Sequence, residues 1–117
     1  MKLAFPIALL AAGAASAASA TGGLQCRPSS GTGPTLDLVV GHGAGPAVVA
    51  ARLGGRPMTV AQSWIDSRYL WLDLVDVNAT RYEARLRAVF QPKLRGRPAL
   101  GTLIRGGRTY RVRCVES

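Results

Sequence analysis

Few residues of this sequence have the side chains that catalysis requires, and their spacing does not bring them together. The one histidine, His42, lies in the glycine-rich stretch GHGAG, and no Gly-x-Ser-x-Gly nucleophile motif follows it. Asp73 and Asp76 are three residues apart on a predicted strand, so their carboxylates would point to opposite faces and could not work as a pair. We therefore predict a protein with no catalytic residues, no metal ligands and no cofactor; the alternative is an enzyme that uses His42.

The two cysteines, Cys26 and Cys114, are predicted to form a structural disulfide. Because the chain has no other cysteine, only one intramolecular pairing is possible. Two thiols and a single histidine do not complete a tetrahedral metal site, and the chain lacks the Cys-x-x-Cys spacing of redox proteins. The bridge would close nearly the whole folded domain, which by chain entropy stabilises it by about 4–5 kcal/mol.

The side chains best suited to binding are the arginines, which number 13 against two lysines in a chain of formal net charge +9. On the strands predicted below, five of them would share the outer face and form a candidate anion-binding surface: Arg81, Arg85, Arg87, Arg111 and Arg113. Guanidinium groups bind phosphate and carboxylate in a bidentate way. The partners we expect are therefore anionic lipid, lipopolysaccharide, an anionic glycan or an acidic protein.

Nucleic acid is not an expected partner, because the chain carries no nucleic-acid-binding motif. The alternative to an anion-binding surface is that the arginines are only the solvated face of ordinary strands, with their long stems covering apolar surface.

A second candidate surface is the segment WIDSRYLW, residues 64–71. Aromatic residues and arginine contribute most of the binding energy in protein interfaces, and this segment combines them around one turn. The predicted protein contacts are Trp64, Asp66, Arg68, Tyr69 and Trp71. In the alternative, Trp64 plugs the end of a barrel while Asp66 and Arg68 form an ordinary polar turn.

The first twenty residues have the pattern of a secretory signal peptide. Lys2 precedes an apolar run over residues 3–12, and Ala18-Ser19-Ala20 supplies the small residues that signal peptidase requires. We predict cleavage after Ala20, which leaves a single periplasmic or secreted domain over residues 21–117, of charge +8 and without a transmembrane segment. The alternative is an uncleaved membrane anchor, although alanine drives membrane insertion only weakly.

The elements that must position these residues are predicted to be β-strands. No helical apolar period lasts for three turns, and short β-rich runs instead recur about every ten residues between Gly, Pro, Asn and Asp. The predicted strands are 24–27, 35–41, 47–53, 56–64, 69–76, 81–90, 99–105 and 108–115. About eight antiparallel strands at this spacing favour a small meander barrel, whose closure removes exposed edges and whose first and last strands the disulfide would join. A sandwich is the alternative.

Two Gly-Gly pairs, at 54–55 and 106–107, predict two-residue hairpin turns, because glycine readily adopts the positive φ of primed turns. Counting outward from the second turn pairs Leu103 with Tyr110, Gly101 with Val112 and Ala99 with Cys114. Side chains alternate along a strand, so the inward residues of this hairpin would be Leu103, Tyr110, Val112 and Cys114, and the outward ones Arg111 and Arg113. Gly101 would leave room for Val112 or permit a bend.

Alternation also orients the two preceding strands. In YEARLRAVF the predicted inner residues are Tyr82, Ala84, Leu86, Ala88 and Phe90, and the outer ones Glu83, Arg85 and Arg87. In YLWLDLV the leucines are predicted to point inward and Trp71 outward, with the reverse register as the alternative. The sequence thus predicts a secreted or periplasmic, non-catalytic binding protein with a basic outer strand face; the alternative is an interaction or inhibitor module that docks through residues 64–71.

Overall fold

The computed structural model of the protein describes residues 20–117. The predicted signal peptide, residues 1–20, lies outside the described residues except for Ala20. The described chain forms eight strands: β1 (Ala20–Pro28), β2 (Leu36–His42), β3 (Pro46–Leu53), β4 (Arg56–Ile65), β5 (Tyr69–Val75), β6 (Tyr82–Phe90), β7 (Ala99–Arg105) and β8 (Arg108–Glu116).

Each strand pairs antiparallel with the next along the chain, and β1 also pairs with β8, so the sheet is a closed barrel. The predicted all-β meander barrel is therefore confirmed in preference to a sandwich. Seven strands begin and end within one residue of their predicted bounds, whereas β1 begins at Ala20, four residues before the predicted start. Gly22 and Gly23 have little intrinsic strand preference, but their pairing with Val40 and Val39 of β2 overrides it.

The predicted disulfide is confirmed, and it lies in the pair of strands that closes the barrel. Cys26 of β1 and Cys114 of β8 are directly opposite each other and bonded. Both side chains are completely buried. The barrel is therefore closed at this seam by a covalent bond as well as by the hydrogen bonds between β1 and β8.

Both Gly-Gly turns form as predicted. Gly54 and Gly55 have φ of 59° and 81°, and Gly106 and Gly107 have φ of 57° and 76°, a conformation that costs residues with a Cβ but not glycine. The second turn sets the register of β7 and β8, in which Leu103 lies opposite Tyr110 as predicted.

Leucine fills most of the barrel interior, and alanine allows close approach on β6 and β7. Seven of the core leucines are at most 1% exposed: Leu36, Leu53, Leu70, Leu72, Leu74, Leu86 and Leu103. Trp71 lies on the outside and is 41% exposed, which confirms the predicted register of β5. Phe90 and Tyr110 pack partly buried against the core.

One predicted inward residue, Tyr82, points outward instead. Leu74 pairs with Ala84 but the next residue, Val75, pairs with Tyr82, so Glu83 is an extra residue in a bulge. A bulge reverses the alternation of side chains beyond it. The Tyr82 side chain is therefore 54% exposed, and its hydroxyl reaches Asp73 on the outer face.

Gly101 makes room for the backbone of β6 and not for Val112. Gly101 lies opposite Ala88 in the register of β6 and β7. A Cβ at this position would overlap the carbonyl oxygen of Arg87 and lie 2.5 Å from the Cα of Ala88. These two strands can keep their spacing here only because the residue is glycine.

Because each strand runs antiparallel to the one before it, successive connections lie alternately at the two ends of the barrel. The β2–β3 connection (43–45), the β4–β5 turn (66–68) and the β6–β7 loop (91–98) lie at one end, which we call the hairpin end. The remaining connections, 29–35, 54–55, 76–81 and 106–107, lie at the opposite end.

Candidate functional site

Three arginines stand side by side on the outside of β1 and β8, and we call Arg27, Arg111 and Arg113 the arginine row. Arg27 and Arg113 are directly opposite each other, and Arg111 lies two residues along β8 on the same face. All three are exposed. Within residues 20–117 no carboxylate lies within 4.0 Å of their guanidinium groups, because the ion pairs there involve other arginines. Arg27 Nε donates to the side-chain oxygen of Gln25 at 2.7 Å, so the row has a neutral hydrogen-bond partner but no ion pair among residues 20–117.

A shallow surface depression of about 500 Å³ borders the arginine row. It is lined by Ser29, Leu100, Gly101, Thr102, Arg111 and Val112. The backbone N–H of Ser29 donates to the carbonyl oxygen of Arg111, at 2.7 Å, and holds this end of the β1–β2 loop against β8. The depression brings one guanidinium group and two hydroxyl-bearing side chains to the same surface, a combination of donors that suits an anion.

Two further arginines of the predicted surface, Arg85 and Arg87 of β6, are held by a carboxylate of the protein itself. Arg85 Nε donates to Asp73 Oδ1 at 3.0 Å, and Arg87 Nη2 lies 3.5 Å from Asp73 Oδ2. The Tyr82 hydroxyl also donates to Oδ1, at 3.1 Å. Asp73 is only 8% exposed beneath these side chains. An external anion would have to compete with Asp73 for both guanidinium groups.

Charge and hydrogen bonding shift the pKa values of Asp73 and of its two hydrogen-bond donors, Tyr82 and Arg85. Burial by itself would raise the pKa of Asp73, but hydrogen bonds from Arg85 and Tyr82 and the charge of Arg87 outweigh it and lower that pKa below its ordinary value. Burial, with the hydrogen bond to Asp73 and its charge, raises the pKa of Tyr82. The hydrogen bond to Asp73 and its charge also raise the pKa of Arg85. Asp73 therefore stays ionised to a lower pH than an ordinary aspartate does.

The fifth predicted arginine, Arg81, lies apart from the others. It precedes β6 at the opposite end of the barrel and forms an ion pair with Glu83, at 3.0 Å. Arg85 and Arg87 are separated from β8 by the intervening strand β7, a spacing of about 10 Å. The structure thus divides the five predicted arginines into a free pair on β8, a pair held by Asp73, and Arg81 with its own partner.

Three outward aromatic side chains form a second surface next to the Asp73 cluster, and we call the exposed Trp64 and Trp71 with the half-buried Tyr69 the aromatic patch. Trp64 of β4 lies directly opposite Trp71 of β5; they are 59% and 41% exposed. The rings of Tyr69 and Trp71 lie 5.0 Å apart, centroid to centroid. Because Trp64 is mostly exposed, it does not plug the end of the barrel.

Asp66 orders the turn beside the aromatic patch. Its Oδ2 accepts a hydrogen bond from Trp64 Nε1 at 2.8 Å, and its Oδ1 accepts from the backbone N–H groups of Arg68 and Tyr69, both at 2.7 Å. These bonds, led by the one from Tyr69, lower the pKa of Asp66. The charge of Asp66 is thus used within the turn, where it fixes the orientation of the Trp64 indole, while Arg68 is left exposed.

The aromatic patch and the arginine row belong to one belt of side chains across the sheet. In register from β4 to β8, the outward residues of this belt are Trp64, Trp71, Arg87, Thr102 and Arg111. The Arg87 guanidinium lies 5.4 Å from the centroid of the Trp71 ring, a cation–π contact that joins the two halves. The two predicted surfaces are therefore continuous.

Sequence reasoning did not identify Arg27 or the role of Asp73, although each had a signal. The disulfide places residue 26 opposite residue 114, and it follows that Arg27 faces Arg113. Pairing Asp73 with Arg85 required the register of β5 and β6, which a six-residue loop, not a two-residue turn, connects. Loops of that length do not fix a register from sequence.

The sequence alternative of an enzyme rests on His42, which lies at the hairpin end of the barrel. It ends β2, opposite Pro46, and lines an open groove of about 640 Å³ with Val39, Val49 and the β2–β3 connection. No three His, Cys, Asp or Glu side chains of residues 20–117 come together to hold a metal ion. The same residues contain no helix long and apolar enough to span a bilayer. No family model, curated protein or solved structure matches the chain.

Proposed function

We propose that this protein is a non-catalytic binding protein of the cell envelope, periplasmic or secreted, that binds anionic envelope components through the arginine row. The observation that carries the proposal is that Arg27, Arg111 and Arg113 stand on two paired strands with no carboxylate within 4.0 Å in residues 20–117. Like charges directly opposite each other destabilise a strand pair. A bound anion would remove that repulsion.

The chemistry of the row favours phosphate, sulfate and carboxylate groups. Arginine presents a planar fork of donors that matches these anions, and Ser29 and Thr102 line the adjoining depression. The whole-chain charge of +9 would attract such ligands over a longer range. The disulfide fits a protein that folds in an oxidising compartment, as the proposed location requires.

Titration with a soluble polyanion, dextran sulfate, tests the proposal. The expected result is binding that the double variant Arg111→Gln/Arg113→Gln weakens about tenfold, because two solvent-exposed ion pairs contribute less than about 1 kcal/mol each. The matched control is Arg56→Gln/Arg108→Gln, which removes the same charge from two exposed residues beside the 54–55 and 106–107 turns, outside the arginine row, and should bind like the wild type. No binding by the wild-type protein would contradict the proposal.

A second candidate function is docking of a protein partner through the aromatic patch. The observation that favours it is the exposure of Trp64 and Trp71 as directly opposed neighbours, since exposed tryptophan is the side chain most typical of interface hot spots. This function predicts that a partner cross-linked in an envelope extract is lost from Trp71→Ala and kept by Arg111→Gln/Arg113→Gln. The opposite pattern would reject it.

A further inference from the structure

Exposed apolar side chains are concentrated at the hairpin end of the barrel. Seven of the ten large exposed ones lie in this half: Val39, Val49, Trp64, Trp71, Val89, Leu94 and Val115. The charged pairs Asp73–Arg85 and Arg81–Glu83 lie toward the opposite end. Clusters of exposed apolar side chains on a small protein mark contact surfaces.

The β2–β3 hairpin is the most apolar part of this end. Residues 38–51 contain no Asp, Glu, Lys or Arg, and the first charges on either side, Asp37 and Arg52, are paired in register. On the outer face Val39 and Val49 are 43% and 61% exposed and line the open groove with the 43–45 connection. The outer faces of antiparallel strands are ordinarily polar. The outer face of this hairpin is instead apolar where Val39 and Val49 lie.

The β6–β7 loop at the same end is basic and ordered. It carries Lys93, Arg95 and Arg97 around Leu94, which is 44% exposed. Backbone hydrogen bonds hold the loop in shape: Leu94 N–H donates to Gln91 at 3.1 Å, and Arg97 N–H donates to Leu94 at 3.0 Å. An apolar side chain between three cations is the composition of segments that settle on an anionic membrane surface.

We propose that the hairpin end docks on an anionic lipid bilayer, with the β2–β3 hairpin and Leu94 entering the headgroup region and the basic loop contacting the lipid charges. This inference goes beyond the proposed anion binding, because it assigns a lipid ligand to residues other than those of the arginine row. Trp64 and Tyr69 lie at the same end, and tryptophan and tyrosine concentrate at membrane interfaces.

Charge argues for lipid over a second copy of this chain or a neutral protein. Of the two acidic residues at this end, Asp66 is used inside its turn and Glu116 ends β8, against four basic residues: Arg68, Lys93, Arg95 and Arg97. Two such ends would repel each other, whereas an anionic bilayer offers both a complementary charge and an apolar layer.

Vesicle binding by the oxidised barrel, residues 20–117, tests the inference, because all eight strands and the disulfide lie within that range. The vesicles contain equal parts phosphatidylcholine and phosphatidylglycerol, with pure phosphatidylcholine as the neutral control. The hairpin variant Val39→Gln/Val49→Gln should bind them about tenfold more weakly and bind dextran sulfate like the wild type. The matched control is Val77→Gln/Ile104→Gln, whose side chains are similarly exposed, 58% and 40%, toward the opposite end.

Leu94→Gln gives a second, independent variant if the hairpin variant does not retain the wild-type thermal transition. In a Trp71→Phe background, the fluorescence of Trp64 should shift to the blue on binding and be quenched by brominated lipid.

The outcomes separate the inference from the proposed function. Full vesicle binding by the hairpin and Leu94 variants, with loss only in Arg111→Gln/Arg113→Gln, would overturn lipid insertion and leave the anion binding intact. If the wild-type protein binds neither vesicles nor dextran sulfate, both the lipid docking and the proposed anion binding are wrong. If the hairpin variant changes the sedimentation of the protein and not its vesicle binding, the hairpin end is an interface between copies and the inference is wrong.

Discussion

Arg27 and Arg113 face each other across the two strands that close the barrel, one residue away from the bonded pair Cys26 and Cys114. Two like charges directly opposite each other weaken a strand pair, and here they do so at the seam on which closure depends. The disulfide holds the seam together regardless of that repulsion. The disulfide therefore keeps β1 and β8 paired although the arginines on them repel each other, whereas hydrogen bonds alone would hold the two strands less firmly.

The first prediction concerns this disulfide. Reduction should lower the free energy of unfolding by about 4–5 kcal/mol, because the bond closes a loop with a sequence separation of 88 residues. The measurement is the urea midpoint of unfolding with and without reductant. Cys26→Ser/Cys114→Ser is the control and should not respond to the reductant. An unchanged midpoint for the reduced wild type would show that the seam is held by its hydrogen bonds.

The second prediction concerns Asp73 as an internal competitor for anions. Asp73→Asn should release Arg85 and Arg87, which it now binds at 3.0 and 3.5 Å, and should strengthen dextran sulfate binding about three- to tenfold. Asp37→Asn makes the same change of charge on β2, where Asp37 accepts from Gln25, whose side-chain oxygen in turn accepts from Arg27. Because Asp37 holds no guanidinium group directly, this variant should have a smaller effect. Equal gains in both variants would mean that net charge, and not the release of two arginines, sets the affinity.

The third prediction concerns acid stability. Because the folded state lowers the pKa of Asp73 below 3.8, the carboxylate stabilises the fold above that pH, and this contribution is lost as the pH falls through the lowered value. Asp66 and Asp76 also have lowered pKa values and act in the same direction. Urea midpoints should therefore decrease as the pH falls below about 4, and Asp73→Asn should show a smaller decrease. If Asp73→Asn shows the same pH profile as the wild type, Asp73 does not contribute to the pH dependence of stability.

The barrel itself was predictable because its local signals agree with one another. The Gly54-Gly55 and Gly106-Gly107 turns fix the registers of their hairpins. The alternation of leucines in β5 and of apolar with charged residues in β6 favours the face that is buried. The bulge at Glu83 was not predictable, since no local signal marks the extra residue. The bulge turns Tyr82 toward Asp73. The sequence therefore predicted least about the surface around Asp73, where that carboxylate pairs with Arg85 and Arg87.

The fourth prediction concerns Gly101. Gly101→Ala should lower the free energy of unfolding by about 1–3 kcal/mol or more, because its Cβ would press on the backbone of β6 at Arg87 and Ala88. Gly43→Ala is the control, since a Cβ there meets no atom within 4 Å. Thermal unfolding of the two variants beside the wild type makes the comparison. A Gly101→Ala protein as stable as Gly43→Ala would mean that β6 and β7 can separate at no cost.

The measurement that tests the central claim most directly is the salt dependence of dextran sulfate binding. Each ionic contact adds about one to the slope of the logarithm of the binding constant against the logarithm of the salt concentration. If the arginine row is the site, Arg111→Gln/Arg113→Gln should reduce the magnitude of the wild-type slope by about two, while Arg56→Gln/Arg108→Gln should keep it. The same slope in both double variants would contradict the account and leave the arginine row as the solvated face of a strand.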